Sequence, residues 1–279
     1  MSTHIIEPKL ISTAEEYREL TKQFQQKYRK AVTSNYLMPA EAAAAIADGK
    51  LYWDECPGVF LLLCEKSRII HAYVSASQDA VVSLRWPLEK PCIMDVPFRA
   101  QQTDELSKND PLWRTLGFSL RTTHARMLWT PENPDSVDAL FSQVLDEPSI
   151  TAEHCENWYA CLDTVALDVP DAPRALVGQE HMLAIRDEQG RVASQMMVVP
   201  GKKVADTHFL VTLPAHRGKG LAKEMMRGAF RVAHESGSLS LCLWVDTSNA
   251  PAISSYTRLG YRFDRMLSAQ YTLAESSRI

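Results

Sequence analysis

Apolar positions recur at two different periods along this chain, and the places where one period gives way to the other lay out its elements. Leu221, Met225, Ala229, Val232 and Ala233 repeat at helical spacing, while Lys223, Glu224, Arg227, Arg231, His234 and Glu235 fill the opposite face and Gly237 stands where a C-terminal cap belongs. A helix is therefore predicted from residue 221. Leu241-Cys-Leu-Trp-Val245 then forms an unbroken apolar run, as expected for a strand covered on both faces, and Asp246-Thr-Ser-Asn249 ends it with turn and cap residues. Residues 249–261 read as a short helix closed by Gly260, and residues 209–213 as the strand before the loop. A strand, a crossover helix and a second strand imply parallel pairing.

Upstream, strands at 181–185 and 192–199 flank the turn Asp187-Glu-Gln-Gly190, and helices are predicted over 137–145 and 152–165. In the first half, helices are expected at 14–32 and 39–47, a hairpin at 58–74, further strands at 81–86 and 92–96, and a closing strand at 121–129. Thr130-Pro-Glu-Asn-Pro-Asp135 is a proline-marked turn, so the chain is expected to divide into lobes 1–130 and 131–279.

The segment Leu213-Pro-Ala-His-Arg-Gly-Lys-Gly-Leu-Ala222 carries the most chemistry. A basic, glycine-rich turn opening a helix offers unpaired backbone N–H groups and a partial positive charge, which suits a pyrophosphate, with Arg217 and Lys219 adding charge beside it. It lacks the G-x-x-x-x-G-K-[ST] of a nucleoside-triphosphate loop, and Lys223 stands where a dinucleotide fingerprint needs glycine.

The pattern [QR]-x-x-G-x-[GA] at Arg217, Gly220 and Ala222, followed by N-x-x-A-x-x-x-Y-x-x-x-G-[FY] at Asn249, Ala252, Tyr256, Gly260 and Tyr261, resembles the GCN5-related N-acetyltransferase superfamily. The resemblance covers about residues 180–273 and implies an α/β (α+β mixed sheet) fold, read here as two acyl-CoA N-acyltransferase-like lobes in tandem. It implies an acetyl-CoA (or other acyl-CoA) co-substrate, with the acyl group passing directly to a primary amine of a small molecule or peptide. The pyrophosphate would lie on Arg217, Gly218, Lys219, Gly220, Leu221 and Ala222. The strand 209–213 would splay from its neighbour so that Leu210, Val211, Thr212 and Leu213 meet the pantetheine arm, an N–H of Leu210 or Val211 polarising the thioester carbonyl. Asn249 would bind the cofactor arm and Tyr256 would protonate the departing thiolate. In related enzymes a base on the fourth strand takes the amine proton, which singles out Asp206 and His208, two residues apart and so on one face. His208, with an ordinary pKa of about 6.5 against about 3.9 for an aspartate, is preferred. Positioning of the two reactants alone is the competing account.

Each of these residues also has a plainer reading. Asn249 before Ala250-Pro251 is a natural N-cap, Tyr256 with Ile253 and Leu259 would form the buried face of a short helix, His208 would be a strand histidine satisfied by a neighbour, and Arg217 a solvated loop cation. A coenzyme A-binding regulatory or interaction module without turnover is the alternative to an enzyme, and Tyr256 argues against it.

Length and composition extend the reading. At 279 residues the chain exceeds one acetyltransferase lobe, which takes about 150 residues. Leu112-Trp-Arg-Thr-Leu-Gly-Phe118 resembles Ser255-Tyr-Thr-Arg-Leu-Gly-Tyr261 at a constant offset of 143, setting Trp113 against Tyr256 and Gly117 against Gly260. No glycine lies between Gly58 and Gly117, and Leu88-Glu-Lys-Pro91 is too short for a crossover helix, so the first lobe is read as degenerate and without a pyrophosphate loop. An unrelated α+β domain is the rival reading. A net charge of −4 with no block of like charges argues against nucleic acid. No apolar run suits a membrane span and Met1-Ser-Thr-His-Ile-Ile-Glu-Pro8 lacks a signal-peptide pattern, so a cytoplasmic monomer or homodimer is expected. The six cysteines fit that compartment, and His154-Cys155 with Cys161 lacks a fourth ligand, so no metal is expected.

Overall fold

A computed structural model describes residues 2–27, 31–35, 37–66, 68–86, 90–98, 104–130, 143–162 and 169–273. The chain divides into two compact units: residues 1–124 with 266–279, and residues 125–265. Both divisions fall inside strands, so the first unit takes back the end of the chain, and its limits differ from a single cut at 130.

The first unit contains β1 (Ser2–Ile5), β2 (Lys9–Leu10), α1 (Ala14–Lys27), β3 (Val32–Thr33), α2 (Pro39–Ala47), β4 (Leu51–Cys56), β5 (Val59–Glu65), β6 (Ile70–Ala76), β7 (Val82–Arg85), β8 (Cys92–Pro97), α3 (Asp104–Thr115) and the start of β9 (Phe118–Trp129). The helix expected over 14–32 is shorter than its period suggested, because Val32 is a strand residue. Helix α2 has the predicted limits. Strands β4, β5 and β6 form an antiparallel meander, and β6 pairs parallel with β8 only at Ile70↔Cys92 and His71↔Ile93. Between β6 and β8 the chain makes β7, which pairs parallel with β1, so no crossover helix is present among the described residues. Alternation along β5 separates two cores: Leu61 and Leu63 pack with Trp113, Leu116 and Tyr271, while Phe60 and Leu62 pack with Phe24, Ala42 and Ala45 of α1 and α2. Gly117, at φ +97, ends α3 where a Cβ would lie 3.1 Å from the Leu84 carbonyl oxygen.

The second unit continues β9 and adds β10 (Leu145–Glu147), β11 (Ser149–Ile150), α4 (Ala152–Cys161), β12 (Arg174–Ala175), β13 (His181–Arg186), β14 (Val192–Val199), β15 (Val204–Thr212), α5 (Leu221–Glu235), β16 (Ser240–Asp246), α6 (Ala250–Arg258) and the start of β17 (Arg262–Leu273), whose end belongs to the first unit. Most of the helix expected over 137–145 lies outside the described residues, and its last residue, Leu145, is in β10. The helix expected over 152–165 ends at Cys161.

In the second unit β10, β13, β14 and β15 are antiparallel neighbours and β15 pairs parallel with β16, the order that the strand–helix–strand pattern requires. Helix α5 buries Met225, Ala229, Val232 and Ala233, as the period predicted, together with Met226, Gly228 and Phe230. Gly228 is needed for space, since a Cβ there would meet Val144 at 2.7 Å. Helix α4 covers the other face through Cys155 and Trp158, which pack on Met182, Met197 and Val211. No helix among the described residues is long and apolar enough to cross a membrane.

A candidate acyl-coenzyme A site in the second unit

The site begins where a ladder stops. Strands β15 and β16 pair from Val204↔Ser240 to Thr207↔Leu243, yet β15 runs on to Thr212 and β16 to Asp246. Beyond Thr207 the two strands form a fork. Its cause is visible on the other edge of β15, where the register with β14 shifts between Gln195↔Val211 and Met197↔His208, so that two residues of β15 oppose one of β14. Within this bulge Phe209 has φ +54, the only non-glycine residue with positive φ among those described. Such a conformation costs about 1–2 kcal/mol and needs support from its surroundings. Trp158 of α4 supplies it: its indole N–H donates to the Phe209 carbonyl at 2.8 Å and its ring meets the Phe209 ring edge-on at 5.5 Å.

The Leu213 N–H donates to the Ala193 carbonyl at 3.0 Å, and alternation along an antiparallel ladder turns Val211 toward β14 as well. Leu210 and Thr212 therefore carry the backbone groups on the fork side, while Val211 is buried against α4. Ser194 fastens this stretch, its hydroxyl donating to the Val211 carbonyl at 2.8 Å.

At the end of β15 the chain makes one 3-10 turn, Pro214–His216, and enters the glycine-rich segment. Gly218 and Gly220 have φ +78 and +80, which L side chains rarely adopt, and Gly220 is the N-cap of α5 with no side-chain cap bond. A Cβ at either glycine would meet nothing within 4 Å, so backbone conformation selects glycine here. Among the described residues, none accepts a hydrogen bond from the N–H groups of Gly218, Lys219, Gly220, Leu221 and Ala222. Five successive donors at a helix N-terminus form an anion cradle. Arg217 turns back and donates from Nε to the Thr212 carbonyl at 3.1 Å, tying the cradle to the strand end. Lys219 is exposed.

At the base of the fork, Thr207 donates to the Cys242 carbonyl at 2.9 Å and lies beside the hydroxyl of Tyr261. Tyr256 packs on that tyrosine with ring centroids 5.9 Å apart, and burial raises its phenol above the ordinary tyrosine range, so the group stays protonated. Asn249 lies at the start of α6 and its Oδ1 accepts the Ala252 N–H at 3.1 Å, the capping role, which leaves its amide NH₂ available for a second contact.

Asp206 and His208 share the α4 face of β15, since they pair with Val199 and Met197. Burial lowers the His208 pKa, the opposing pull of Asp206 and Glu180 being smaller, so the imidazole is neutral at neutral pH. Asp206 is exposed and accepts the Cys242 thiol at 2.8 Å; burial first, and this aspartate second, push that thiol up to about 12. Trp158, Phe209 and Thr207 escape a reading of sequence, because each owes its place at the fork to a contact with a distant part of the chain.

Residues 145–261 match the model of the Acetyltransferase (GNAT) family. A streptothricin acetyltransferase from Streptomyces lavendulae is 47% identical over 58 residues, which is 21% of this chain and 31% of that protein. Among solved structures, a tandem GNAT protein from the clavulanic acid biosynthesis pathway is similar at a TM-score of 0.53 with 10% identity, over 97% of this chain and 100% of that one. A glucosamine N-acetyltransferase region of a fungal multi-domain β-N-acetylglucosaminidase is similar at a TM-score of 0.50 with 11% identity, over 95% of this chain and 38% of that one. The cradle, the fork and the match to the Acetyltransferase (GNAT) family model thus all fall in the second unit.

Proposed function

We propose that the second unit transfers an acyl group, acetyl foremost, from an acyl-coenzyme A to a primary amine of a small molecule or peptide. The observation that carries this is the run of five N–H groups at residues 218–222 that no described residue accepts, set at the open end of a strand fork. The cradle would hold the pyrophosphate, and the fork-side backbone of Leu210 and Thr212 would pair with the pantetheine arm by the same main-chain bonding that adds a strand to a sheet edge. The co-substrate supplies an activated thioester. A Leu210 N–H facing the fork would polarise its carbonyl, Tyr256 would donate the proton that the thiolate needs, and His208, neutral because it is buried, would take the proton from the amine. Asp206 serves as a weaker candidate base, since its carboxylate already accepts the Cys242 thiol.

The first unit is read as a degenerate copy of the same lobe. Gly117 and Gly260, 143 residues apart, both leave a helix for a strand, at φ +97 and +96. The name of the streptothricin relative supports acetyl as the acyl group and makes streptothricin one amine worth including among trial acceptors. The test is titration with acetyl-CoA, followed by thiol release with amines that include streptothricin, a polyamine and peptide N-termini. Saturable binding with release for one amine is expected. Absence of binding would refute the proposal, and binding without release for any amine would make the unit a coenzyme-binding module.

A further inference from the structure

The first unit holds a cavity of about 580 Å³ that the chemistry above does not use. That volume is within the range of small-molecule sites, about 300–1,000 Å³. It lies between α1 and the face of β5 and β6 turned toward that helix. Phe24 of α1 and Phe60 of β5 form one wall, their rings nearly parallel with centroids 4.8 Å apart. Tyr73 and Ser75 of β6, Thr33 of β3 and Gln25 of α1 add hydroxyl and amide groups. The Tyr73 hydroxyl is 3.4 Å from His71 Nδ1, and His71 Nε2 is 3.2 Å from Asp95. Among the described lining residues none carries an ionisable carboxylate, ammonium, guanidinium or imidazole.

This composition selects a class of ligand. An ion entering the cavity would lose hydration with no counter-charge on the described lining residues, whereas a neutral ring gains aromatic contact on one side and hydrogen bonds on the other. The position matters too. The cavity lies on the face covered by α1 and α2, the helices that precede the meander. Here the backbone beyond the β6–β8 pairing is already taken: Val32 and Thr33 pair with Ala76 and Ser75, the Ser34 N–H donates to the Val74 carbonyl at 2.8 Å, and the Val74 N–H donates to the Ser34 hydroxyl at 2.9 Å.

We propose that this cavity is a second small-molecule site, selective for a neutral, ring-bearing molecule with hydroxyl or amide groups, which it holds without acylating because the adjacent fork is closed by the chain itself. The probe is N-acetyl-L-tyrosinamide, which is neutral and has no free amine to act as an acceptor, with N-acetyl-L-tyrosine as its anionic counterpart. Calorimetric titration of the full chain without acetyl-CoA should show saturable binding of the neutral probe, and binding of the anion weaker by about tenfold or more. Thr21→Trp, from α1, and Ser75→Leu, from β6, would fill the cavity and should each abolish binding while the circular dichroism spectrum is retained. Arg217→Ala, in the other unit, should leave it unchanged. Failure of the neutral probe to saturate the native chain, equal affinity for the anion, or undiminished binding by either folded variant would overturn the proposal.

Discussion

Each unit contains a parallel strand pair that stops early, and the two resolve the consequence in opposite ways. In the first, β6 and β8 part after His71↔Ile93, and residues 32–34 fill the gap with backbone and serine hydrogen bonds. In the second, β15 and β16 part after Thr207↔Leu243, and among the described residues no strand takes the fork side of β15. Backbone groups facing a fork must find partners. A chain that supplies them from its own sequence gains a closed sheet, and one that leaves them open keeps a place for an extended ligand. The glycine-rich turn accompanies only the open fork; the closed one is followed by β7 in place of a crossover helix.

The sharpest way to break this contrast is at the matched positions Tyr256 and Trp113. Tyr256→Phe should lower kcat about 100-fold while acetyl-CoA affinity stays within about twofold, because only proton donation is lost. Trp113→Phe, in the closed unit, should alter stability and leave kcat unchanged. Next, Gly220→Val should weaken acetyl-CoA binding about 10- to 100-fold by calorimetry, since valine resists φ near +80 and the N–H cradle would twist. Gly117→Ala should lower the melting temperature without touching that affinity, because its Cβ would press on the Leu84 carbonyl.

His208→Asn should lower kcat/KM by about tenfold at neutral pH. Burial depresses the folded pKa of His208, so in the native chain kcat/KM should hold down to about 6.5 and fall as acidification passes below that value, an acid limb that the variant should lose. Ser34→Ala should remove about 1 kcal/mol of stability in urea unfolding by leaving the Val74 N–H without its hydroxyl partner, and should not confer acetyl-CoA binding on the first unit.

The smallest effect concerns His154. It is fully buried, its Nδ1 accepts the Thr151 N–H at 3.1 Å, and burial lowers its pKa. The unfolded chain takes up this proton near pH 6.5 and the folded chain only at lower pH, so stability should decline as pH falls below about 6.5, by at most about 1.4 kcal/mol per unit. His154→Gln should flatten that slope in melting temperature.

What the sequence determined by itself is local. The helix opening after the glycine-rich turn, the apolar stripe of α5, the asparagine cap of α6 and the β13–β14 hairpin follow from steric limits and periodicity within a few residues, and all were legible. Tertiary structure alone decided which fork is open. Phe209 takes its left-handed turn because an indole 51 residues away holds its carbonyl, and Ser34 closes the first fork across 40 residues of sequence. Helical periodicity assigned Val32 to α1, since a two-residue strand is too short to register a period of its own; its partner on β6 exists only once the sheet has formed.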